Sequence, residues 1–153
     1  MRKLFLGEGV KIFIGSDHAG FGLKNKLMAY LQQAGHEVSD LGTHAETSCD
    51  YADFAHPVCK GVLAQVPSFG ILICGSGIGM SMAANRHHGI RAALCHNSLE
   101  ARLTREHNDA NVLVLGARII GEDLAKDILD TFLRGTFAGG RHQARVAKIE
   151  SCT

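Results

Sequence analysis

The sequence lacks the features that divide a chain into several units. It has only two prolines, Pro57 and Pro67, no Ser/Gly/Pro-rich linker, no low-complexity tract and no visible repeat period. Its 153 residues fall in the range of about 100–200 residues typical of one domain. A chain near ~150 residues also buries enough surface for a core without disulfides or metal. We therefore predict one domain over residues 10–150 and an N-terminal extension of unknown role over residues 1–9.

A large net charge and a long apolar run are also lacking. Sixteen Lys and Arg against fifteen Asp and Glu leave a net charge of +1, so no broad field attracts nucleic acid or an anionic membrane. No segment approaches the ~18 apolar residues of a membrane span, and the apolar run within residues 1–9 is too short for a secretory signal. We expect a cytoplasmic protein with neither a nucleic acid nor a membrane as partner.

The five cysteines form neither an even set nor a CxxC pair. They are Cys49, Cys59, Cys74, Cys95 and Cys152. This pattern argues against a disulfide framework and against a structural zinc site. We therefore expect reduced thiols and no metal.

Apolar runs of strand length alternate with segments of helical period. The strands are predicted at residues 10–16, 36–41, 69–74, 90–95 and 112–116, and the helices at 20–35, 51–66, 79–85, 98–106 and 122–133. Gly35 stands where a left-handed residue ends a helix. Strands separated by helices of this length predict an α/β fold of three layers, with a mostly parallel sheet and helices on both faces.

Unusual residues follow three of these strands, where open α/β sheets bind ligands. Residues 15–20 read GSDHAG, residues 74–81 read CGSGIGMS, and Arg118 follows the last strand. The glycines at 75, 77 and 79 let backbone amides turn toward one point, which suits a phosphate or an oxyanion. Their spacing matches neither the dinucleotide fingerprint nor the P-loop, so a tight structural turn is the alternative.

Cys74 lies at the end of a buried strand and just before a predicted helix start. The thiolate form is favoured at such a position, where it serves as a nucleophile or a base. The alternative is a small buried core residue, which is the usual role of a free cysteine.

Two histidines and three arginines are further candidates. His18 lies in the loop after the first strand and His107 just past a helix, whereas His96, which also ends a strand, ranks below them. Arg118, Arg141 and Arg145 suit phosphate, because a guanidinium stays charged and pairs with two oxygens. If the basic tail over residues 139–148 is helical, Arg141 and Arg145 share one face. The alternative is a solvated basic tail.

Six motifs occur together in a specific order. They are GSDHAGF at 15–21, DY at 50–51, ILICGSGIGMSMAANR at 71–86 with GIRAA at 89–93, REHNDANV at 105–112, GAR at 116–118 and GGRH at 139–142. Over residues 10–149 the chain resembles the sugar-phosphate isomerase family that contains ribose-5-phosphate isomerase type B and the galactose-6-phosphate isomerase subunits. The resemblance implies a Rossmann-like domain that dimerises, with an active site shared across the dimer. It also implies interconversion of an aldose phosphate and a ketose phosphate without metal or cofactor.

The resemblance assigns a role to each candidate. It implies Cys74 as the base that moves a proton between C2 and C1, and His107 as the group that assists ring opening. It implies that the amides of Gly75, Gly77 and Gly79 stabilise the enediolate. It implies that Asp17 and Asn108 contact sugar hydroxyls, that Ser76 makes ring-opening or hydroxyl contacts, and that Tyr51 lines the sugar pocket. The residues that it implies for the phosphate are His18, Arg118, Arg141 and Arg145. Ser76 stands where many relatives have threonine, which keeps the hydroxyl.

Four hypotheses follow. The first is an isomerase that interconverts D-ribose 5-phosphate and D-ribulose 5-phosphate through a cis-enediol. A close variant acts on allose 6-phosphate or galactose 6-phosphate. A non-catalytic phosphosugar-binding module would keep the glycines and arginines but tolerate loss of the base. A thiol redox sensor would need a resolving cysteine near Cys74, for which Cys95 is the candidate.

Overall fold

The computed structural model describes residues 9–151, over which five strands alternate with six helices. Their order is β1 (Lys11–Ser16), α1 (Phe21–Gln33), β2 (Glu37–Asp40), α2 (Tyr51–Ala64), β3 (Ser68–Cys74), α3 (Ile78–Ala84), β4 (Ala92–Leu94), α4 (Ser98–Asn108), β5 (Val112–Gly116), α5 (Glu122–Arg134) and α6 (Arg141–Glu150). Apart from Gly9, the predicted extension over residues 1–9 lies outside the described residues.

The strands form one sheet in the order β2-β1-β3-β5-β4, and every pairing in it is parallel. Ile14 of β1 aligns with Ile71 of β3, which aligns in turn with Leu113 of β5. The prediction of a three-layer α/β fold is therefore confirmed, and the sheet is wholly parallel in the described chain.

Two apolar cores lie on the two faces of this sheet. Alternate residues of β3 enter different cores. Ile71 and Ile73 pack with α1, α4 and α5, whereas Leu72 and Cys74 pack with α2 and α3. Burial on both faces explains why the strands read as continuous apolar runs. Nearly all the large side chains of β3 and β5 are consequently removed from water.

The sequence located the elements well, and the differences lie at edges and at the tail. Gly35 has a φ of 90°, as its predicted place at the end of α1 requires. The edge strand β4 is shorter than predicted, and the side-chain amide of Asn85 bonds both the N–H and the C=O of Ala92. These bonds occupy backbone groups that an edge strand otherwise exposes. The basic tail is helical and forms α6.

In the described part of the chain, no helix combines the length and the apolar character needed to cross a membrane.

Candidate active site

A cavity lies where the chain reverses direction across the sheet. From β1 the chain continues to β2 on one side, and from β3 it continues toward β5 and β4 on the other. Ligands bind at the carboxyl ends of such neighbouring strands. The cavity there has a volume of about 330 Å³ and is lined by Asp17, His18, Ala19, Tyr51, Cys74, Gly75, Ser76, Gly79, Arg118 and Ile119. Eight of the thirteen predicted site residues therefore meet at one place.

Cys74 ends β3 at the bottom of this cavity, with 4% of its surface exposed. The backbone N–H of Gly77 donates a hydrogen bond of 3.1 Å to its Sγ atom. Gly77 has a φ of 80°, and a Cβ there would lie 2.4 Å from Cδ1 of Leu94. Glycine is thus required for the turn that points this N–H at the sulfur. The sulfur is therefore held as an oriented hydrogen-bond acceptor inside the cavity.

The backbone of the glycine loop is in close contact with its neighbours. A Cβ at Gly79 would lie 2.5 Å from Cζ of Tyr51, and a Cβ at Gly116 would lie 2.6 Å from the carbonyl oxygen of Ser76. The Ser76 hydroxyl accepts a hydrogen bond of 3.2 Å from the N–H of Ile78. The loop is therefore held between the Tyr51 ring and the end of β5, which fixes the direction of its amides.

The loop after β1 brings a carboxylate and an imidazole to the same cavity. Asp17 is 6% exposed, and its Oδ1 accepts the N–H of Gly20 at 3.0 Å. Nδ1 of His18 accepts the N–H of Cys49 at 3.2 Å. In a neutral imidazole that bond places the hydrogen on Nε2, so His18 offers a donor on its other nitrogen. The two side chains thus present an acceptor and a donor to a polyhydroxy ligand.

Arg118 adds a positive charge at the rim. Its backbone N–H bonds the carbonyl of Gly75 at 2.9 Å, and a Cβ at Gly75 would lie 3.4 Å from its Nη1 atom. Within residues 9–151 the guanidinium forms no ion pair, although twelve such pairs occur there. Arg118 is therefore available to an anion beside the glycine loop.

Of the five other predicted site residues, Gly77 lies in the glycine loop beside Cys74, and the remaining four lie elsewhere on the chain. His107, Asn108, Arg141 and Arg145 are not among the residues that line the cavity. They belong to the end of α4 and the start of α6, where the His107 ring stacks on that of His142 at 4.3 Å between centroids. These four residues, with His142, are called the α4–α6 cluster below. The interpretation of Arg141 and Arg145 as neighbours on a helix is consistent with α6.

The α4–α6 cluster is positively charged. Arg141 and Arg145 are exposed, and neither forms an ion pair among the residues that the structure describes. The pKa of His142 is lowered from its usual value by burial and by the positive charges of His107, Arg141 and Arg145. Two unpaired guanidinium groups one helical turn apart suit a dianion such as a phosphate monoester.

Two arginines without a predicted role, the buried Arg105 and the half-buried Arg91, hold this cluster in place. Arg105 is 8% exposed, lies 4.9 Å from the centroid of the Phe69 ring, and donates to the carbonyl of Ala110 at 2.6 Å. Arg91 donates from Nε to the carbonyl of Asn108 at 3.0 Å and from Nη1 to Glu150 at 2.6 Å. Arg91 lies in the GIRAA motif, and Arg105 lies in REHNDANV, two residues before His107. Those motifs were the signal that the sequence offered for these two residues.

Cys95 is poorly placed to form a disulfide with Cys74. The two thiols belong to cores on opposite faces of the sheet. Burial and the charge of Glu100 raise the pKa of the Cys95 thiol to about 12. A thiol with so little thiolate reacts slowly, which counts against the redox hypothesis.

Sequence comparisons place the chain among sugar-phosphate isomerases. The model of the Ribose/Galactose Isomerase family matches residues 12–149. Ribose-5-phosphate isomerase B of Escherichia coli is 47% identical over 139 residues, which cover 91% of this chain and 93% of that protein.

Solved structures agree with the sequence comparisons. A ribose 5-phosphate isomerase from Thermotoga maritima has a TM-score of 0.90 and 55% identity, covering 92% of this chain and 97% of that one. Ribose-5-phosphate isomerase B from Mycoplasma genitalium, solved with bound ribulose-5-phosphate, has a TM-score of 0.89 and 41% identity, covering 94% of this chain and 96% of that one. With the family match over most of its length, and the thiol and glycine loop at the expected strand end, this chain belongs to the Ribose/Galactose Isomerase family.

Proposed function

We propose that the protein interconverts D-ribose 5-phosphate and D-ribulose 5-phosphate. The observation that carries the proposal is the Cys74 thiol, which ends β3 inside the cavity and accepts the N–H of Gly77 at 3.1 Å. The bound ribulose-5-phosphate in the Mycoplasma genitalium relative supports a pentose phosphate as the substrate. Isomerisation needs a base beside the carbon acid and preorganised donors for the oxyanion, and both are available here.

The proposed reaction moves two protons, one from C2 to C1 and one from the C2 hydroxyl to O1. The Cys74 thiolate removes the C2 proton of the open-chain aldose, and the electron pair forms the C1–C2 double bond while O1 takes the negative charge. Amides of the glycine loop at Gly75 and Gly79 stabilise that enediolate, while the Gly77 N–H donates to the Cys74 sulfur. The C2 hydroxyl then loses its proton as the C2 carbonyl forms, O1 is protonated, and the Cys74 thiol returns a proton to C1. The thiolate is thereby regenerated.

The other site residues bind the substrate and prepare it. His107 assists opening of the furanose ring, with the Ser76 hydroxyl near the reacting end. Asp17, Asn108 and Tyr51 contact the sugar. His18, Arg118, Arg141 and Arg145 hold the phosphate, whose binding energy orients the reacting carbons.

We further propose that each active site is shared by two copies of the chain. The cavity with Cys74 and the α4–α6 cluster with His107 are separate groups on one chain, and each lacks part of the set that the reaction needs. Ile78 and Met82 on one face of α3 are 50% and 67% exposed, and Ile119 at the cavity is 57% exposed. An exposed apolar surface beside an incomplete site suits a second copy that brings its own α4–α6 cluster.

Two broader predictions accompany this proposal. The family match over residues 12–149 supports one isomerase domain over residues 10–150. We also propose the cytoplasm as the location, which the free thiols of the four described cysteines support.

The experiment that tests the function is turnover by purified protein in EDTA. Ribose 5-phosphate and allose 6-phosphate are supplied separately, and ketose formation is measured. We expect turnover of the pentose phosphate, with no need for metal. A preference for the hexose phosphate would favour the six-carbon variant. Binding of both without turnover would favour the non-catalytic module instead.

A further inference from the structure

Lys24 is wholly buried, although it lies in the first turn of an amphipathic helix. Its side chain has 0% exposure, and Nζ donates to Oδ1 of Asp40 at 2.5 Å. Nζ also lies 5.6 Å from the centroid of the Phe21 ring. Removing an ammonium group from water is costly and adds little net stability even when the group is paired. The pair therefore calls for an explanation other than stability.

Asp40 connects this ammonium to the backbone beside the active site. The same Oδ1 atom accepts the N–H of Gly42 at 2.9 Å. The carbonyl of Gly42 accepts the N–H of Ser16 at 2.7 Å, and the N–H of Thr43 donates to the carbonyl of Ser16 at 2.8 Å. Ser16 directly precedes Asp17. Lys24 and Asp40 thus fix the start of the segment that crosses the end of β1.

The far end of that segment holds a cavity residue directly. The segment comprises residues 41–49, and the N–H of Cys49 is the donor to Nδ1 of His18. The orientation of the His18 ring therefore depends on where residues 41–49 lie. Their position is fixed at one end by the Asp40–Gly42 bond and at the other by α2, which begins at Tyr51.

Within residues 9–151, His44 is the one other basic residue that pairs with Asp40, and it does not reach the place of Lys24 without rearrangement. Nδ1 of His44 lies 3.6 Å from Oδ2 of Asp40, and the His44 side chain is 73% exposed. Without the ammonium, the Asp40 carboxylate is free to turn toward His44 and water. The N–H of Gly42 then loses its acceptor, and the start of residues 41–49 is held only by its backbone bonds to β1.

We propose that Lys24 and Asp40 are positioning residues for the isomerisation, which orient His18 through residues 41–49. The inference rests on the proposed role of His18 in holding the phosphate. Lys24 touches no substrate, because it acts through Asp40 and the backbone. Its loss therefore changes ground-state binding more than the chemical step.

The test compares Lys24→Met with a control variant that removes a different ion pair. For Lys24→Met we expect KM for ribose 5-phosphate to rise about tenfold, with kcat within about threefold of wild type. The control is Lys11→Met, because Lys11 donates to Glu37 at 2.5 Å and links β1 to the start of β2, whereas Lys24 links α1 to the end of β2. The control should leave KM unchanged. Equal KM values in both variants, with only the Tm lowered, would assign Lys24 a structural role and overturn the proposal.

A pair of double variants keeps the test decisive if Lys24→Met does not fold. Neither Lys24→Met/Asp40→Asn nor Lys24→Met/Asp40→Ala leaves an unpaired buried charge. The asparagine keeps an oxygen for the Gly42 N–H, whereas the alanine removes it. We expect a KM near wild type in the first and a KM raised about tenfold in the second. Equal KM values in the two double variants would contradict the proposed path through Gly42.

His18→Ala separates this inference from the function on which it rests. A raised KM in His18→Ala together with an unchanged KM in Lys24→Met overturns the positioning role alone. An unchanged KM in His18→Ala overturns the phosphate role of His18 and the inference with it. Turnover by the wild-type protein, measured in the same series, reports on the isomerase function independently.

Discussion

Gly77 stands at the most constrained backbone position of the cavity. Its φ of 80° is unfavourable for other residues, and a Cβ would meet Leu94 at 2.4 Å. The position matters because its N–H donates to the Cys74 sulfur. In the proposed mechanism, conformation and catalysis are therefore linked at a single residue.

Gly77→Ala should lower kcat for ribose 5-phosphate about 100-fold, as expected when a preorganised donor is displaced. The left-handed conformation should also cost about 1–2 kcal/mol of stability. Gly22→Ala is the matched control, because Gly22 is exposed on α1 and a Cβ there meets nothing within 4 Å. That variant should keep full activity and gain about 0.5–1 kcal/mol. An equal kcat in the two variants would contradict the role of the Gly77 N–H.

At the scale of elements, two histidines join the helices that flank the cavity. Nδ1 of His56 on α2 and Nε2 of His87 after α3 are 2.7 Å apart. Such a bond requires one hydrogen between the two nitrogens, so it cannot persist when both rings are fully protonated. Because α2 begins with Tyr51 and α3 follows the glycine loop, this contact supports the packing of the Tyr51 ring on Gly79.

The His56–His87 contact predicts loss of stability in mild acid. Burial, with the charges of His56 and Lys60, lowers the pKa of His87 below its ordinary 6.5. As the pH falls through 6.5, the unfolded chain takes up a proton at His87 that the folded chain does not, so the free energy of unfolding decreases. His87→Gln should flatten the dependence of Tm on pH between about pH 7.5 and 5.5. His96→Gln, at an exposed position, is the control for removing an imidazole. Parallel Tm curves for His87→Gln and wild type would contradict the assignment.

At the scale of the whole molecule, the sequence predicts one half of the site better than the other. Asp17 follows β1, Cys74 ends β3, and the glycine loop comes directly after Cys74. Because β1 and β3 are parallel neighbours, these residues meet at the same edge of the sheet however the helices pack. The placement of His107 and Arg141 depends on the path of α4 to α6 across the molecule, which local periodicity does not encode. Lys24 was missed for another reason, since a charged residue on an amphipathic helix is ordinarily expected at the surface.

The proposal of a site shared across a dimer predicts recovery of activity when two inactive variants are mixed. Cys74→Ala and His107→Asn should each be nearly inactive. After the two are unfolded together and refolded as a mixture, half of the dimers contain one chain of each kind. One site in each such dimer then has both Cys74 and His107 intact, so about a quarter of wild-type activity should return. If each site is built from a single chain, mixing restores nothing.

The most direct test of the central claim separates catalysis from binding at Cys74. In Cys74→Ala, kcat for ribose 5-phosphate should fall by at least about 1000-fold, while the Kd measured by calorimetry stays within about threefold of wild type. The thiol acts mainly in the transition state, so its loss should spare ground-state affinity. Retained turnover, or a loss of binding that parallels the loss of turnover, would contradict the assignment of Cys74 as the base.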